Sequence, residues 1–167
     1  MTTVLDRIVI MMGVAGCGKS TVAQALALAT DLPFIEGDDF HPIANRQKMV
    51  GGTPLDDADR WPWLDTIAAA VHGPAVIACS ALKRRYRDRL RGNLPLQPLF
   101  VLLDAPRDLL AQRLASRSDH FMPPWLLQSQ LDTLEPPEPD EQDCLGLDGQ
   151  LPVATIVAIL CQKLGSP

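Results

Sequence analysis

Short apolar runs without polar alternation recur along the chain and predict buried strands. The clearest is the run RIVIMM at residues 7–12, where apolar and β-branched side chains follow one another without a break. A strand that is buried on both faces of a parallel sheet has this pattern. Four further short runs are predicted as strands, at residues 33–36, 75–79, 99–103 and 143–147.

Segments with apolar residues at helical spacing separate these runs. The first covers residues 19–29, with Val22, Ala25, Leu26 and Ala29 on one stripe. Further helices are predicted at residues 42–49, 56–71, 82–91, 106–116, 125–134 and 151–164. Strands that alternate with helices favour a parallel sheet with helices on both faces. The expected fold is therefore a three-layer α/β/α domain with a five-stranded parallel sheet, which covers residues 1–167 as one unit.

Length and charge narrow the class of protein. The chain has 167 residues, of which 47% are hydrophobic and 21% charged, as in an ordinary globular domain. A formal net charge of −5 argues against broad contact with nucleic acid or acidic lipid. No stretch approaches the roughly 18 apolar residues of a membrane helix, and the four cysteines form no CxxC pair. We therefore expect a cytoplasmic protein without a nucleic-acid or membrane partner.

A glycine-rich loop after the first strand matches the phosphate-binding pattern GxxxxGK(S/T) in full. Its residues, with the one that follows, are Gly13, Val14, Ala15, Gly16, Cys17, Gly18, Lys19, Ser20 and Thr21. The glycines let backbone N–H groups surround phosphate oxygens, and the following helix adds a partial positive charge. In such loops the lysine reaches the β- and γ-phosphates, and the serine hydroxyl binds Mg²⁺. We therefore expect ATP at this loop and Mg²⁺ at Ser20.

Kinases, GTPases and motor ATPases share this loop. The chain has no NKxD-like guanine-reading motif and no long strand ending in DExx, so a small-molecule kinase is favoured. Residues 116–142 are polar and rich in proline, and are expected to form a mobile lid. An arginine of a lid can stabilise charge on the γ-phosphate. Arg117 is the first candidate for that role and Arg113 the second.

Polar and basic residues follow the second and third strands, at the sheet edge where α/β domains bind ligands. Asp38 could accept a hydroxyl proton there, although a turn-forming aspartate also suits Gly-Asp-Asp. The bases that gather near this edge are Arg46, Lys48, Arg60, Lys83, Arg84, Arg85, Arg87 and Arg89. Lys83 and Arg87 are four residues apart and are expected to share a helix face, with the other arginines of that helix facing water. Arginine matches carboxylates, so an acidic acceptor is expected.

Beyond the loop, the chain resembles the gluconate kinases among the P-loop small-molecule kinases. The matching blocks are MGVAGCGKST at 12–21, GDDFHPIANRQKM at 37–49, GGTPLDDADRWPWL at 51–64, CSALKRRYRDRLR at 79–91 and HFMPPWLLQSQLDTLEPPEPDE at 120–141. The resemblance implies ATP-dependent phosphorylation of D-gluconate at its 6-hydroxyl, an adenylate- or shikimate-kinase-like fold, and commonly a homodimer. It implies that Asp38 is the acceptor-side acid. It also implies that the acceptor pocket and lid include His41, Arg46, Arg60, Lys83, Arg87 and His120.

Two other functions remain open on the sequence. One is a kinase of shikimate or of another polyol acid, and the other is a nucleotide-binding regulatory module without catalysis. Cys17 stands where a small residue is usual in this loop. It would make nucleotide binding sensitive to oxidation if its thiol is exposed and the helix N-terminus lowers its pKa.

Overall fold

Five parallel strands form the sheet in the computed structural model, which describes residues 6–117 and 123–165. The strands are β1 (Ile8–Met12), β2 (Phe34–Glu36), β3 (Ala75–Ala78), β4 (Pro98–Asp104) and β5 (Cys144–Asp148). They lie in the order β2-β3-β1-β4-β5, and every neighbouring pair is parallel. The predicted α/β fold and its five-stranded parallel sheet are thereby confirmed.

Helices cover the sheet, and each of the seven predicted from periodicity is present. They are α1 (Lys19–Thr30), α2 (Ile43–Val50), α3 (Asp57–Ala69), α4 (Arg84–Asn93), α5 (Arg107–Ala115), α6 (Pro124–Thr133) and α7 (Val153–Gly165). Helix α1 packs against α7, and α3 packs against α4. A 3₁₀ turn at Gly37–Phe40, which periodicity did not predict, follows β2. No helix of the described chain has the length and apolar character needed to cross a bilayer.

The middle strand β1 forms the centre of the core because all five of its side chains are apolar and buried. Ile8 pairs with Ala75 of β3 on one side and with Pro98 of β4 on the other. Helix α1 buries the stripe Val22, Ala23, Leu26 and Ala27 above it. The loop that leaves β1 therefore starts from a strand that is held on both edges.

Ionic contacts join α2 to α3. Helix α3 begins with a capping box, in which the carboxylates of Asp56 and Asp59 each accept the other residue's backbone N–H. Such caps typically stabilise a helix by about 1 kcal/mol. Lys48 of α2 donates to the same Asp59 carboxylate at 2.8 Å. These contacts fix the two helices that follow β2 relative to each other.

Candidate active site

The loop between β1 and α1 has a backbone that only glycine readily adopts. Gly13, Gly16 and Gly18 have φ values of 141°, 84° and 94°. A Cβ on Gly13 would lie 2.9 Å from the carbonyl oxygen of Leu103 and 2.8 Å from Sγ of Cys17. Those distances leave no room for a larger residue. The sequence motif is thus present as a tight glycine-dependent loop.

Lys19 and Ser20 lie in the first turn of α1, at the positive end of its dipole. Within residues 6–117 and 123–165, neither side chain has a hydrogen-bond or ion-pair partner. The next residue, Thr21, is exposed. A lysine amine here suits phosphate oxygens, and a serine hydroxyl suits Mg²⁺, which prefers oxygen ligands. The residues present therefore fit both a nucleotide phosphate and its metal ion.

Cys17 is turned into the core of the protein. Only 1% of the residue is exposed, and its N–H donates to the carbonyl oxygen of Val14 at 3.2 Å. Its sulfur fills the space beneath Gly13. The exposed thiol on which oxidation-sensitive binding was conditional is therefore not present at Cys17.

Arg113 holds the phosphate loop against the loop that follows β5. Its Nη1 donates to the carbonyl oxygens of Gly16 and Cys17, both at 3.3 Å. Its Nη2 donates to the carbonyl oxygen of Gly149 at 2.9 Å. The residue predicted to contact the nucleotide therefore also shapes the loop that would bind it.

The other two lid residues of the prediction lie further along the chain. Arg117 follows α5, with its N–H donating to the carbonyl oxygen of Leu114 at 3.3 Å and its side chain exposed. His120 lies outside the described residues. The structure thus places one predicted arginine against the phosphate loop and the other at the start of the predicted lid.

A cavity of about 540 Å³ opens where β4 and β5 end. Its lining includes Leu102 and Pro106 from the β4 side, and Leu147 and Asp148 from the β5 side. The N–H of Gly149 donates to the carbonyl oxygen of Asp104 at 2.6 Å, which joins the two strand ends at this point. An apolar wall with a few polar groups is typical of a site for a small molecule.

Asp38 and His41 follow β2, where a stacked indole fixes the imidazole. The Asp38 side chain is 66% exposed, and its Oδ1 lies 3.8 Å from Nε2 of His41. The His41 ring stacks on Trp63 with ring centroids 4.2 Å apart. The Trp63 N–H donates to the carbonyl oxygen of Gly37 at 2.7 Å, and the Asn45 amide lies 3.4 Å from Nδ1 of His41. The histidine is held in place, while the Asp38 carboxylate is open to a ligand.

The charge of His41 gives a test of this packing. Burial lowers the pKa of His41 from 6.5 to about 4, although Asp38 opposes the shift. Because the unfolded chain binds the proton more readily, the contribution of His41 to stability is complete above the unfolded pKa. This contribution is lost as the pH falls from 6.5 toward about 4.

We expect His41→Phe, which keeps a ring on Trp63, to lose less stability than the wild type between about pH 7 and about pH 5. Urea unfolding at both pH values measures this, and equal losses would contradict a buried neutral histidine.

Arg46 contacts the same turn from α2. Its Nε donates to the carbonyl oxygen of His41 at 3.2 Å, and its Nη2 to that of Asp39 at 3.0 Å. Both partners are neutral, so the charge of the guanidinium is not cancelled by these two bonds. Arg46 therefore brings positive charge to the residues beside Asp38.

Arg60 and Lys83 meet around the ring of Tyr86. Asp57 accepts hydrogen bonds from Lys83 at 3.3 Å and from the Tyr86 hydroxyl, and forms an ion pair with Arg85 at 2.5 Å. The Tyr86 hydrogen bond is the largest cause that lowers the pKa of Asp57, ahead of both cations. The Arg60 guanidinium lies 5.2 Å from the centroid of the Tyr86 ring, within the range of a cation–π contact. Arg60 and Lys83, both predicted for the acceptor pocket, are thus brought together, and Lys83 is paired with the carboxylate of Asp57.

A cavity of about 440 Å³ lies between Lys83 and helix α6. Its lining from α6 includes Trp125, Gln128, Ser129 and Asp132. Hydroxyl, amide and carboxylate groups next to a lysine suit a polar ligand with several hydroxyl groups.

Arg87 does not reach this cavity. It is completely buried, and its Nε and Nη2 donate to the Glu141 carboxylate at 2.7 Å and 2.6 Å. Its Nη1 donates to the carbonyl oxygens of Ala81 at 3.2 Å and Glu135 at 3.1 Å. The prediction that Lys83 and Arg87 share one helix face is wrong. Lys83 is the N-cap of α4, whereas Arg87 lies one turn further on and points toward the core. The structure corrects its place from the acceptor pocket to the interior.

The last part of the predicted lid is fastened to α4. Arg84 donates to Glu138 at 2.5 Å and to Asp140 at 2.9 Å and 2.8 Å. Arg91 donates to Glu141 at 2.8 Å, and together with Arg87 it keeps the pKa of that carboxyl well below its usual range. Residues 135–142 are therefore tied to the body of the domain over most of their length.

Several residues of the acceptor side carry no sequence signal of their own. Asn45, Asp57, Trp63 and Tyr86 each hold one of the predicted residues in place. Their roles depend on contacts between α2, α3 and α4, which periodicity does not give. All four lie within the blocks that carry the family resemblance, and the resemblance is the signal that could have found them.

A parallel sheet with a phosphate loop after its middle strand, and an open carboxylate on the same edge, defines a P-loop kinase. The comparison with protein families agrees, since residues 8–137 match the AAA domain family. The structure of shikimate kinase from Aquifex aeolicus vf5 shares the fold at 14% identity, with a TM-score of 0.62 over 94% of this chain and 95% of that one.

Closer relatives give the particular family. The chain is 52% identical over 143 residues to the gluconokinase of Gluconobacter oxydans (strain 621H), covering 81% of this chain and 79% of that protein. It is 40% identical over 153 residues to the thermosensitive gluconokinase of Escherichia coli (strain K12), with coverages of 88% and 81%. The crystal structure of a gluconokinase from Sinorhizobium meliloti 1021 matches with a TM-score of 0.86 at 46% identity, over 96% of this chain and 92% of that one. The chain belongs to the gluconokinase family, as the sequence blocks predicted.

Proposed function

We propose that this chain transfers the γ-phosphoryl group of ATP to the 6-hydroxyl of D-gluconate, giving 6-phospho-D-gluconate and ADP. One observation carries the proposal beyond family membership. The phosphate loop and the turn that carries Asp38 both contact the end of β3. The N–H of Gly13 donates to the carbonyl oxygen of Ser80 at 3.2 Å, and a Cβ on Gly37 would lie 3.4 Å from Cα of Cys79. The lysine of the loop and the Asp38 carboxylate therefore belong to segments that meet at the same end of this strand. A phosphate-binding lysine and an acceptor carboxylate next to each other suit phosphoryl transfer.

On the donor side, the amides of residues 13–20 and the amine of Lys19 are proposed to bind the phosphates. Ser20 is proposed to hold Mg²⁺, which neutralises phosphate charge when it is bound. The adenine is proposed to occupy the 540 Å³ cavity at the ends of β4 and β5. Arg117 is exposed at the start of the predicted lid, which supports a role at the γ-phosphate, while Arg113 keeps the loop in shape.

On the acceptor side, Asp38 is proposed to accept the proton of the attacking hydroxyl or to orient that hydroxyl. His41, which is neutral at pH 7, can exchange hydrogen bonds with the sugar hydroxyls without adding charge. Arg46, Arg60 and Lys83 supply the positive potential for the gluconate carboxylate. His120 is assigned to this pocket on the resemblance alone.

A coupled assay with a panel of acceptors tests the assignment. We expect turnover with ATP, Mg²⁺ and D-gluconate, and a kcat/KM at least about 100-fold lower with shikimate or with a polyol acid of different length. Turnover with another acid but not with gluconate would reassign the substrate. Binding of ATP without transfer to any acceptor would favour the regulatory module.

We also propose a homodimer in the cytoplasm. Ile43 and Val50 lie seven residues apart on α2 and are 75% and 90% exposed, which gives this helix an apolar outer stripe. Light scattering coupled to gel filtration measures the assembly, and a mass near the 18.2 kDa of one chain would contradict it.

A further inference from the structure

Gln130 of α6 contacts the phosphate loop. Its Oε1 accepts a hydrogen bond from the backbone N–H of Ala15 at 2.7 Å, across 115 residues of sequence. Ala15 lies two residues after Gly13, within the run of amides that the loop offers to phosphate oxygens. Gln130 is partly buried and Ala15 is only 8% exposed, so the side chain of Gln130 covers this amide.

This bond differs from the other bonds made by the loop amides. The N–H groups of Gly13 and Cys17 donate to backbone carbonyl oxygens, those of Ser80 and Val14. Such bonds belong to the fold of the loop. The bond of Ala15 instead depends on a side chain of helix α6, 115 residues further along the chain. A carbonyl oxygen 2.7 Å from this N–H lies where a phosphate oxygen bound to the same N–H would lie.

We propose that Oε1 of Gln130 takes the place of a phosphate oxygen in the nucleotide-free enzyme and is displaced when the nucleotide binds. The proposal rests on the proposed function for the nucleotide itself. An ionised phosphate oxygen accepts a stronger hydrogen bond than a neutral amide oxygen does. A phosphate oxygen of the nucleotide therefore replaces Oε1 as the acceptor of the Ala15 N–H, and the side chain of Gln130 moves away.

The displacement links the two halves of the site. Helix α6 carries Gln130 on one side, and Trp125 and Ser129 line the 440 Å³ cavity that also contains Lys83. Leu126 and Leu127 bury the same helix against the domain, so a shift of Gln130 is passed to its neighbours. Binding of the nucleotide at the phosphate loop thus changes the wall of the 440 Å³ cavity next to Lys83.

Binding of a non-hydrolysable ATP analogue, measured by calorimetry without any acceptor, tests the proposal. The Gln130→Ala variant loses the competing oxygen, so its Kd should be about 3- to 10-fold lower than that of the wild type. The Gln130→Glu variant places a charged acceptor at the same N–H and repels phosphate, so its Kd should rise at least about 10-fold. Gln112 of α5 is exposed and lines neither of the two cavities, so it serves as the control. Its Ala and Glu variants should change the Kd by less than about twofold.

Weaker or unchanged binding by Gln130→Ala would overturn the proposal, because Gln130 would then help the nucleotide or play no part. If the alanine variant folds poorly, Gln130→Asn replaces it in the test. Its shorter side chain cannot reach the N–H, so its Kd should also be lower than that of the wild type. Melting curves add a second measure: Tm of the free Gln130→Ala protein should fall, and the rise of Tm on adding the analogue should exceed that of the wild type. Since no acceptor is present, these results stand even if gluconate is not the substrate.

Discussion

The Asp38→Asn variant is expected to lose about 10²- to 10⁴-fold in kcat with D-gluconate while it binds ATP as tightly as the wild type. The carboxylate is 66% exposed at the sheet edge, and Nε2 of His41 lies 3.8 Å from it. That histidine is neutral at pH 7, because its pKa is about 4. Asp38 is thus free to accept the hydroxyl proton, and an amide in its place cannot do so.

Asp39→Asn is the matched control for this prediction. Asp39 is the next residue in the same 3₁₀ turn and is exposed as well, and its backbone carbonyl, not its side chain, accepts from Arg46. Its kcat should stay close to that of the wild type. Steady-state rates against both substrates separate the roles of Asp38. A raised gluconate KM with unchanged kcat would make it a binding residue and refute proton transfer.

Loss of the carboxylate of Glu141 should destabilise the fold by about 3–5 kcal/mol. The Glu141→Ala change leaves the completely buried guanidinium of Arg87 without its ionic partner. It also removes an acceptor of Arg91 at 2.8 Å. Chemical unfolding monitored by circular dichroism measures the change in free energy.

Glu138→Ala is the control, since this glutamate lies in the same segment and also pairs with an arginine of α4. Its side chain is 61% exposed, so water replaces the lost partner and the loss should be several-fold smaller. Replacing Arg87 and Glu141 together by apolar residues should restore part of the stability that Glu141→Ala loses. Equal losses from the two glutamate variants would show that the Arg87 pair is not buried in solution.

The sheet and its order of helices could be predicted because they depend on local signals. Fully apolar runs such as Ile8–Met12 indicate strands buried on both faces, and stripes such as that of α1 indicate helices. The 3₁₀ turn at Gly37–Phe40 was missed because it has no periodicity. It depends on a tertiary contact, since a Cβ on Gly37 would overlap the carbonyl oxygen of Ala78.

The site could be predicted only in part, because a residue's role depends on where its side chain points. Lys19 and Ser20 were accessible to prediction since their positions in the motif fix their place on the helix. Arg87 was not, because its partner Glu141 is 54 residues away in sequence and nothing local pairs them. The burial of Cys17 depends on a single turn of the loop, and the contact of Gln130 depends on how α6 docks.

The position of β1 in the sheet has a consequence for how the chain folds during synthesis. Ile8 leaves the ribosome well before its partners Ala75 and Pro98. At roughly 5–20 residues per second, an apolar strand stays without its neighbours for on the order of 3–15 s. Parallel pairing over such separations is slow to form. The strand that anchors the phosphate loop in the finished enzyme is therefore an apolar segment that the nascent chain must keep from aggregating until its partners are made.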